Sequence, residues 1–145
     1  MREILFRGKQ IDYGKWVEGG FHVWETRQPC VVGDDKLKAD EIKYMITVNS
    51  FADWNMPRSM QAREVIPETV GQYTGLKDKN SKRIFEGDII VYSDEYRYRV
   101  FWNNDETAFW VDGINNIDLD RLGNLFESSC EVIGNIHDNP ELLTV

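Results

Sequence analysis

The stretch "GQYTGLKDKNSKRIFEGDII", residues 71–90, decides the fold. Two apolar arms that contain aromatic residues flank a lysine-rich, polar centre. The arms predict strands, and the centre, which mixes Asp, Asn and Ser with its lysines, predicts the turn between them. Gly87 and Asp88 interrupt the second arm and predict a break before a further strand. The stretch therefore indicates a β-hairpin that leads into more β structure.

The residues that follow continue this pattern of short strands and tight turns. "YRYRVFW" and "TAFWVDG" predict strands on either side of the turn "NNDE", and "CEVIGNIH" predicts a later strand. Residues 117–126, which include Leu122 and Phe126, approximate a helical stripe and predict one short helix. Pro140 is suited to the first position of a last helical turn. Such a meander predicts a small antiparallel barrel or sandwich.

The first half of the chain gives weaker signals. "EILFRG" and "KWVEGGFHVW" predict two strands joined by a turn, and Gly19 with Gly20 indicates a bulge or a close backbone approach. "CVV" predicts a short strand, and residues 42–48 predict another. The proline-punctuated residues 50–68 predict loops with room for a single helical turn.

These patterns place the chain in the mainly β class, as a β-rich α+β protein with antiparallel strands. The signal changes near residues 50–66, which is where a subdomain boundary is expected. We therefore predict an N-terminal β subdomain at residues 1–66 and a barrel subdomain at residues 67–145.

Charge and composition narrow the possible partners. The chain has 145 residues, 41% of them hydrophobic, and a formal net charge of −8. Residues 73–145 carry 7 basic and 14 acidic side chains. An acidic field repels phosphate and argues against nucleic acid as a partner. A local basic face can still act within a Debye length of about 8 Å, so the charge does not exclude such a role.

Other bulk features concern location. No apolar run approaches the ~20 residues that cross a bilayer, which predicts a chain without a membrane partner. The charged start "MREILFRGKQ" shows no secretory segment. Cys30 and Cys130 lie far apart in sequence, and two free thiols are expected. We predict a cytoplasmic protein.

Two cationic segments are the candidates for binding nucleic acid. Single-stranded nucleic acid is bound by aromatic side chains beside cationic ones, and both segments offer such groups. The first is the polar turn and the second is the strand "YRYRVFW"; the residues are Lys77, Lys79, Lys82, Arg83, Arg97, Tyr98 and Arg99. The alternative is structural: a soluble hairpin turn, and a core-facing aromatic row backed by arginines that pair with nearby carboxylates.

The sequence supports no catalytic or metal site. His22 and His137 are far apart, and neither stands at ligand spacing from a cysteine. Glu86 and Asp88 are two apart in a strand arm, and paired carboxylates can do acid/base work. A glycine-led turn into a strand explains them more simply. We therefore expect no catalytic residue, no metal and no cofactor.

Three stretches together carry a family resemblance. "TVGQYTGLKDKNSKRIFEGDIIVY", residues 69–92, resembles the signature of the YopX family of phage and prophage proteins. "MREILFRGK…GKWVEG" is similar to the family's amino-terminal hairpin, and "CEVIGNIHDNPELL" to its closing segment. Asn80-Ser81 stands where the family usually has Asn-Gly, which suggests a different turn type.

The resemblance implies a mainly β protein whose carboxy-terminal half is an SH3-like barrel. It implies a place in mobile elements of bacteria and carries no catalytic residue. The leading hypothesis is a non-enzymatic accessory protein that acts through contacts with an unknown protein, including self-association into a homo-oligomer. The alternative is a small nucleic-acid-binding module that uses Arg97, Arg99 and the turn at residues 77–83.

Overall fold

The computed structural model describes residues 1–125 and 127–145. Strands make up 47% of the chain and helical turns 11%, which confirms the mainly β class. The described residues form two compact units. One unit is Leu5–Val70, and the other combines Met1–Ile4 with Gly71–Val145. No helix in the described part of the chain is both long enough and apolar enough to cross a membrane.

The Leu5–Val70 unit is an antiparallel sheet with the order β4-β3-β2-β1. Its strands are β1 (Phe6–Lys9), β2 (Trp16–Glu25), β3 (Ile42–Asn49) and β4 (Met60–Glu64). Ile46 and Val65 are fully buried at its centre. Single 3-10 turns occur at Ala39–Glu41 and Pro67–Thr69.

Two glycines let backbones of this unit approach closely. A Cβ at Gly19 would overlap the carbonyl oxygen of Thr47, so only glycine fits there. A Cβ at Gly8 would lie 2.8 Å from the side chain of Val65. The predicted close approach at Gly19 is thus confirmed, without a shift of the β1–β2 or β2–β3 register.

The Gly71–Val145 part contains a hairpin and a five-stranded antiparallel sheet with the order β10-β9-β8-β7-β11. The hairpin consists of β5 (Gly71–Lys77) and β6 (Arg83–Phe85). The sheet consists of β7 (Asp88–Tyr92), β8 (Tyr96–Asn103), β9 (Ala108–Gly113), β10 (Leu119–Arg121) and β11 (Cys130–Asn135). Its core includes Ile84, Ile90, Val100, Val111 and Leu122. Single 3-10 turns occur at Leu122–Asn124, Glu127–Ser129 and Pro140–Leu143.

The predicted hairpin is confirmed, and so is its break. Tyr73 pairs with Phe85 and Lys77 with Arg83. Gly87 has a φ of 86°, a left-handed conformation that favours glycine, and it separates β6 from β7. The strand at residues 42–48 is confirmed as β3, and Pro140 begins the last 3-10 turn.

Several predictions were wrong. The five-stranded sheet does not close into a barrel. Its two end strands, β10 and β11, do not pair with each other, and β10 is only three residues long, all of them exposed. The "CVV" segment is not a strand, since no segment among the described residues pairs with it and Val31 and Val32 are exposed. The short helix predicted at residues 117–126 is instead β10 followed by a 3-10 turn. Its last position, Phe126, lies outside the described residues.

Candidate functional site

The turn at residues 77–83, which we call the cationic turn, has a buried carboxylate at its centre. Asp78, only 6% exposed, lies between β5 and β6. Its Oδ1 accepts hydrogen bonds from the backbone N–H groups of Asn80 at 2.8 Å and Lys82 at 2.9 Å. Its Oδ2 accepts one from the N–H of Val132 in β11 at 3.0 Å. Asp78 therefore both shapes the turn and joins it to the sheet.

The pKa of Asp78 reflects two opposing effects. Burial acts to raise it, because a charged carboxylate loses hydration. The three backbone N–H donors outweigh that effect, so the pKa of Asp78 lies below its usual range. The group is therefore ionised at neutral pH, and its negative charge is taken up by the turn itself.

The cations around Asp78 differ in their surroundings. Lys79 contacts Glu131 at 2.6 Å and Asp94 at 3.4 Å. Arg83 contacts Glu3 at 3.1 Å, and its guanidinium lies 5.8 Å from the ring centre of Tyr73. The side chains of the remaining two, Lys77 and Lys82, are exposed. Carboxylates and an aromatic ring therefore already contact two of the four cations.

The β8 candidates are integrated into the fold. Tyr98 is buried in the core, and its hydroxyl donates to Asp118 at 3.3 Å. Burial, with the Asp118 carboxylate beside it, raises the pKa of Tyr98. Arg97 donates to the carbonyl oxygens of Leu142 and Thr144, each at 3.1 Å. Tyr98 therefore has no open ring face for a base to stack on, and Arg97 holds the C-terminal segment.

The two candidate segments lie on different strands of the sheet. The turn contacts β11, where Lys79 donates its N–H to the carbonyl of Cys130 at 2.9 Å. Strand β7 lies between β11 and β8. Arg99, on β8, pairs with Asp112 of β9 at 3.0 Å. The seven residues are thus divided between the two sides of β7.

The titratable groups singled out from the sequence include the carboxylates of Asp88 and Glu86 and the thiol of Cys130. Asp88 is buried, and its Oδ2 accepts a hydrogen bond from the N–H of Phe85 at 2.8 Å across the Gly87 turn. Burial raises the pKa of Glu86. Burial also raises the pKa of the Cys130 thiol to about 11, so that thiol is protonated and unreactive at neutral pH. Within residues 1–125 and 127–145, no three His, Cys, Asp or Glu side chains are grouped to hold a metal.

A concave groove of about 400 Å³ lies on the five-stranded sheet, between β5, β9 and the turn after β10. Its floor includes Leu76, Phe109 and the buried Leu122. The polar side chains at its rim are bonded within the chain: Arg121 to Glu106 at 2.6 Å, and Asn124 to Asp120 at 2.7 Å. The lining of the groove is therefore mainly apolar.

Several large exposed apolar side chains lie in the β3–β4 connection and at the first residue of β4. Four of them define what we call the apolar surface: Phe51, Trp54, Met56 and Met60, exposed by 91%, 93%, 61% and 76%. The loop is closed at its base, where Ser50 donates its N–H to the Ser59 carbonyl at 2.7 Å and the two hydroxyls lie 2.9 Å apart.

Sequence reasoning missed this surface. The proline-punctuated pattern predicts only loops at residues 50–68 and does not predict an exposed apolar surface. The available signal was the "FADWNMPRSM" segment, in which large apolar residues occur without the periodicity that would bury them.

Fold and surface together define a small, mainly β protein with two compact units and an exposed apolar surface on one of them. Residues 20–144 match the family described as YopX protein, and the chain belongs to that family. The crystal structure of protein EF1440 from Enterococcus faecalis is similar over 99% of each chain, with a TM-score of 0.53 and 23% identity. At that identity the likeness concerns the fold alone. No curated protein matches the chain.

Proposed function

We propose that this chain is a non-enzymatic accessory protein of a phage or prophage, and that it acts through protein–protein contacts in the cytoplasm of its bacterial host. Family membership supports the setting, because the YopX resemblance implies proteins of mobile elements. The apolar surface is the single observation that carries the mode of action. Large exposed apolar patches on soluble proteins mark interaction sites.

The apolar area that the apolar surface exposes is of the order expected for an interaction site. A fully exposed aromatic side chain presents roughly 150–250 Å². Phe51 and Trp54, each more than nine-tenths exposed, therefore offer about 300–450 Å² of apolar area. Hydrogen bonds at Ser50 and Ser59 hold the base of the loop, so binding a partner requires little ordering of that base.

We propose a non-enzymatic role because two candidate carboxylates are bonded to the backbone and the candidate thiol is protonated. The carboxylates of Asp78 and Asp88 accept hydrogen bonds from backbone N–H groups, and the Cys130 thiol is protonated at neutral pH. None of these groups is left as an activated acid, base or nucleophile.

The nucleic-acid alternative has less support. Tyr98 is buried, Arg97 is bonded to backbone carbonyls, and Lys79 is bonded to carboxylates. Anisotropy of a labelled single-stranded oligonucleotide at low salt separates the two functions, because phosphate contacts are strongest there. We expect no binding. Binding that weakens with salt and is lost in a Lys77→Ala, Lys82→Ala variant would favour the alternative.

Photo-crosslinking in bacterial cells that carry the phage tests the proposal itself. A photoreactive phenylalanine derivative replaces Trp54 and, in a control, Val31, which is 94% exposed on a different loop. We expect cross-linked protein from position 54 and much less from position 31. No cross-linked protein at position 54, or equal amounts at both positions, would overturn the assignment of the apolar surface as the contact site.

A further inference from the structure

We infer that the partner at the apolar surface is a second copy of this chain, and that the two copies pair through antiparallel β4 strands. The inference rests on the proposed function, because it names the occupant of the same surface. It is carried by the direction of the backbone groups of β4, by the register that these groups permit, and by the apolar side chains at both ends of the strand.

The β3–β4 ladder fixes where the backbone groups of β4 point. Val65 donates its N–H to the carbonyl of Tyr44 at 2.9 Å, and Ser50 donates its N–H to the carbonyl of Ser59 at 2.7 Å. Both pairs belong to the register in which Thr47 lies opposite Ala62. Hydrogen-bonded and non-hydrogen-bonded pairs alternate in an antiparallel ladder. Residues 61 and 63 therefore bond to β3, and residues 60 and 62 do not.

Met60 and Ala62 consequently turn their N–H and C=O groups away from the sheet. Strand β4 is the edge of its sheet, and four of its five side chains are exposed. Of the usual devices that protect an edge, it contains no proline, no lysine and no bulge, and its two charged residues are Arg63 and Glu64.

Other edges are shorter or covered. Strands β6 and β10 have three residues each. The outer side of β11 is occupied by the cationic turn, through the bonds of Asp78 to Val132 and of Lys79 to Cys130. On β4, a backbone bond covers the Glu64 end, where Ile11 donates its N–H, and in the described part of the chain no such bond covers the outward groups of Met60 and Ala62.

One register uses only the free groups. When two β4 strands run antiparallel about a two-fold axis at Gln61, Met60 of each copy lies opposite Ala62 of the partner subunit. Four backbone hydrogen bonds form between those residues. The carbonyl of Glu64 already accepts the N–H of Ile11 at 3.2 Å, so the pairing between copies ends at Ala62. The two-fold axis makes this pairing self-complementary.

The same register brings apolar surface against apolar surface. At its Glu64 end, β4 is bonded to Ile11, and Tyr13 belongs to the same turn; their side chains are 50% and 76% exposed. At its Met60 end it is flanked by the loop that carries Phe51 and Trp54. Antiparallel pairing places the loop of each copy beside Ile11 and Tyr13 of the partner subunit.

The apolar area matches what a stable dimer needs. Phe51, Trp54 and Tyr13 together expose about 400–650 Å² per copy, at roughly 150–250 Å² for a fully exposed aromatic side chain. A standard protein interface buries about 800 Å² per partner. The methionines and the paired strand backbones supply the rest.

Light scattering on the purified full chain tests the partner. We expect a species of twice 17.0 kDa that dissociates on dilution. Ala62→Pro removes an N–H that β3 does not use, so the fold is retained while the new pairing is lost. Ala62→Thr keeps the N–H and is the matched control. A wild-type monomer at every concentration, or a dimer unaffected by Ala62→Pro, overturns the inference.

Side-chain contacts are tested by Trp54→Asp, with Val31→Asp as the control. A buried interface tryptophan often contributes a large share of the binding free energy. In a two-fold dimer both copies carry the substitution, so its effect on the interface occurs twice. We expect Trp54→Asp to raise the dimer Kd by about 100- to 1,000-fold. Val31→Asp should leave the Kd unchanged. Equal effects of the two substitutions contradict the assigned surface.

Disulfide trapping tests the register. In a Cys30→Ser background, Gln61→Cys places two thiols in a non-hydrogen-bonded pair with Cα atoms about 4.5 Å apart, within the range that a disulfide spans. Ala62→Cys places its two thiols beyond that range. We expect a covalent dimer only from Gln61→Cys, and equal trapping from both overturns the register. If the chain is monomeric but position 54 still cross-links to another protein in cells, the self-pairing fails while the proposed function stands.

Discussion

The stability of the cationic turn should depend on one carboxylate. Asp78→Ala removes the acceptor for three backbone N–H groups, those of Asn80, Lys82 and Val132. The first two can turn to water in the exposed turn. The Val132 N–H is buried, so the substitution leaves it without an acceptor.

The size of the effect follows from these bonds. A hydrogen bond to a charged group contributes about 1.5–3 kcal/mol, and a buried donor left without an acceptor costs about 1–3 kcal/mol. Because removing the buried charge offsets part of this loss, we expect Asp78→Ala to lower the free energy of unfolding by about 3–4 kcal/mol. Asp78→Asn retains one acceptor oxygen and should lose about half as much.

Urea unfolding, followed by tryptophan fluorescence and circular dichroism, measures both variants against Asp105→Ala. Asp105 is exposed in the turn between β8 and β9, and its substitution should change stability by less than about 0.5 kcal/mol. A loss below about 1 kcal/mol for Asp78→Ala would refute the reasoning, since it would mean that the carboxylate is not the acceptor that holds the turn.

The same group predicts a pH dependence. The folded-state pKa of Asp78 lies below its usual value of 3.8. Its contribution to stability is therefore complete above about pH 4 and is lost as the pH falls through the folded-state pKa. Stability of Asp78→Ala should fall less steeply in acid than that of the wild type or of Asp105→Ala. Parallel acid profiles would show that Asp78 has no perturbed pKa.

Three further predictions concern single positions. Gly19→Ala should cost about 3 kcal/mol in urea unfolding, because its Cβ overlaps the Thr47 carbonyl; wild-type stability would contradict the close approach. Ser81→Gly should stabilise by up to about 1 kcal/mol, since Ser81 has a φ of 63°; a loss of stability would show that the conformation is not strained. At pH 7.5 a thiol reagent should label Cys30 at once and Cys130 only after unfolding, because burial raises the pKa of Cys130 to about 11. Equal rates of labelling would exclude this difference.

Much of the fold follows from local patterns. The hairpin at residues 71–90, the meander after it and the strand that became β3 are all visible as apolar runs between turn residues. Gly87 predicts the break between β6 and β7, because few other residues adopt a φ of 86°. Strand β4 was not predictable in this way. "MQARE" alternates only at Met60 and Ala62, which is too short a run to predict a strand, and the segment is extended because β3 offers it a backbone ladder.

The role of the cationic turn depended on a contact that sequence distance conceals. Composition predicts a soluble turn at residues 77–83, and the turn is there. Nothing local shows that Asp78 reaches Val132, which lies 54 positions away. A single aspartate among lysines looks like one more surface charge. Only the arrangement of β5 and β11 reveals it as the acceptor that joins them.

The edge strands β11 and β4, one in each unit, differ in how far they are covered. In the C-terminal sheet, a turn whose carboxylate is buried covers the outer side of β11. In the N-terminal unit, Ile11 covers only the Glu64 end of β4. The outward backbone groups of Met60 and Ala62 have no comparable cover among the described residues, and the apolar surface lies beside them. Exposed edges are usually protected against pairing with other chains. An edge left open beside exposed aromatic residues is therefore best explained as an edge that pairs, and its self-complementary register makes a second copy the simplest partner.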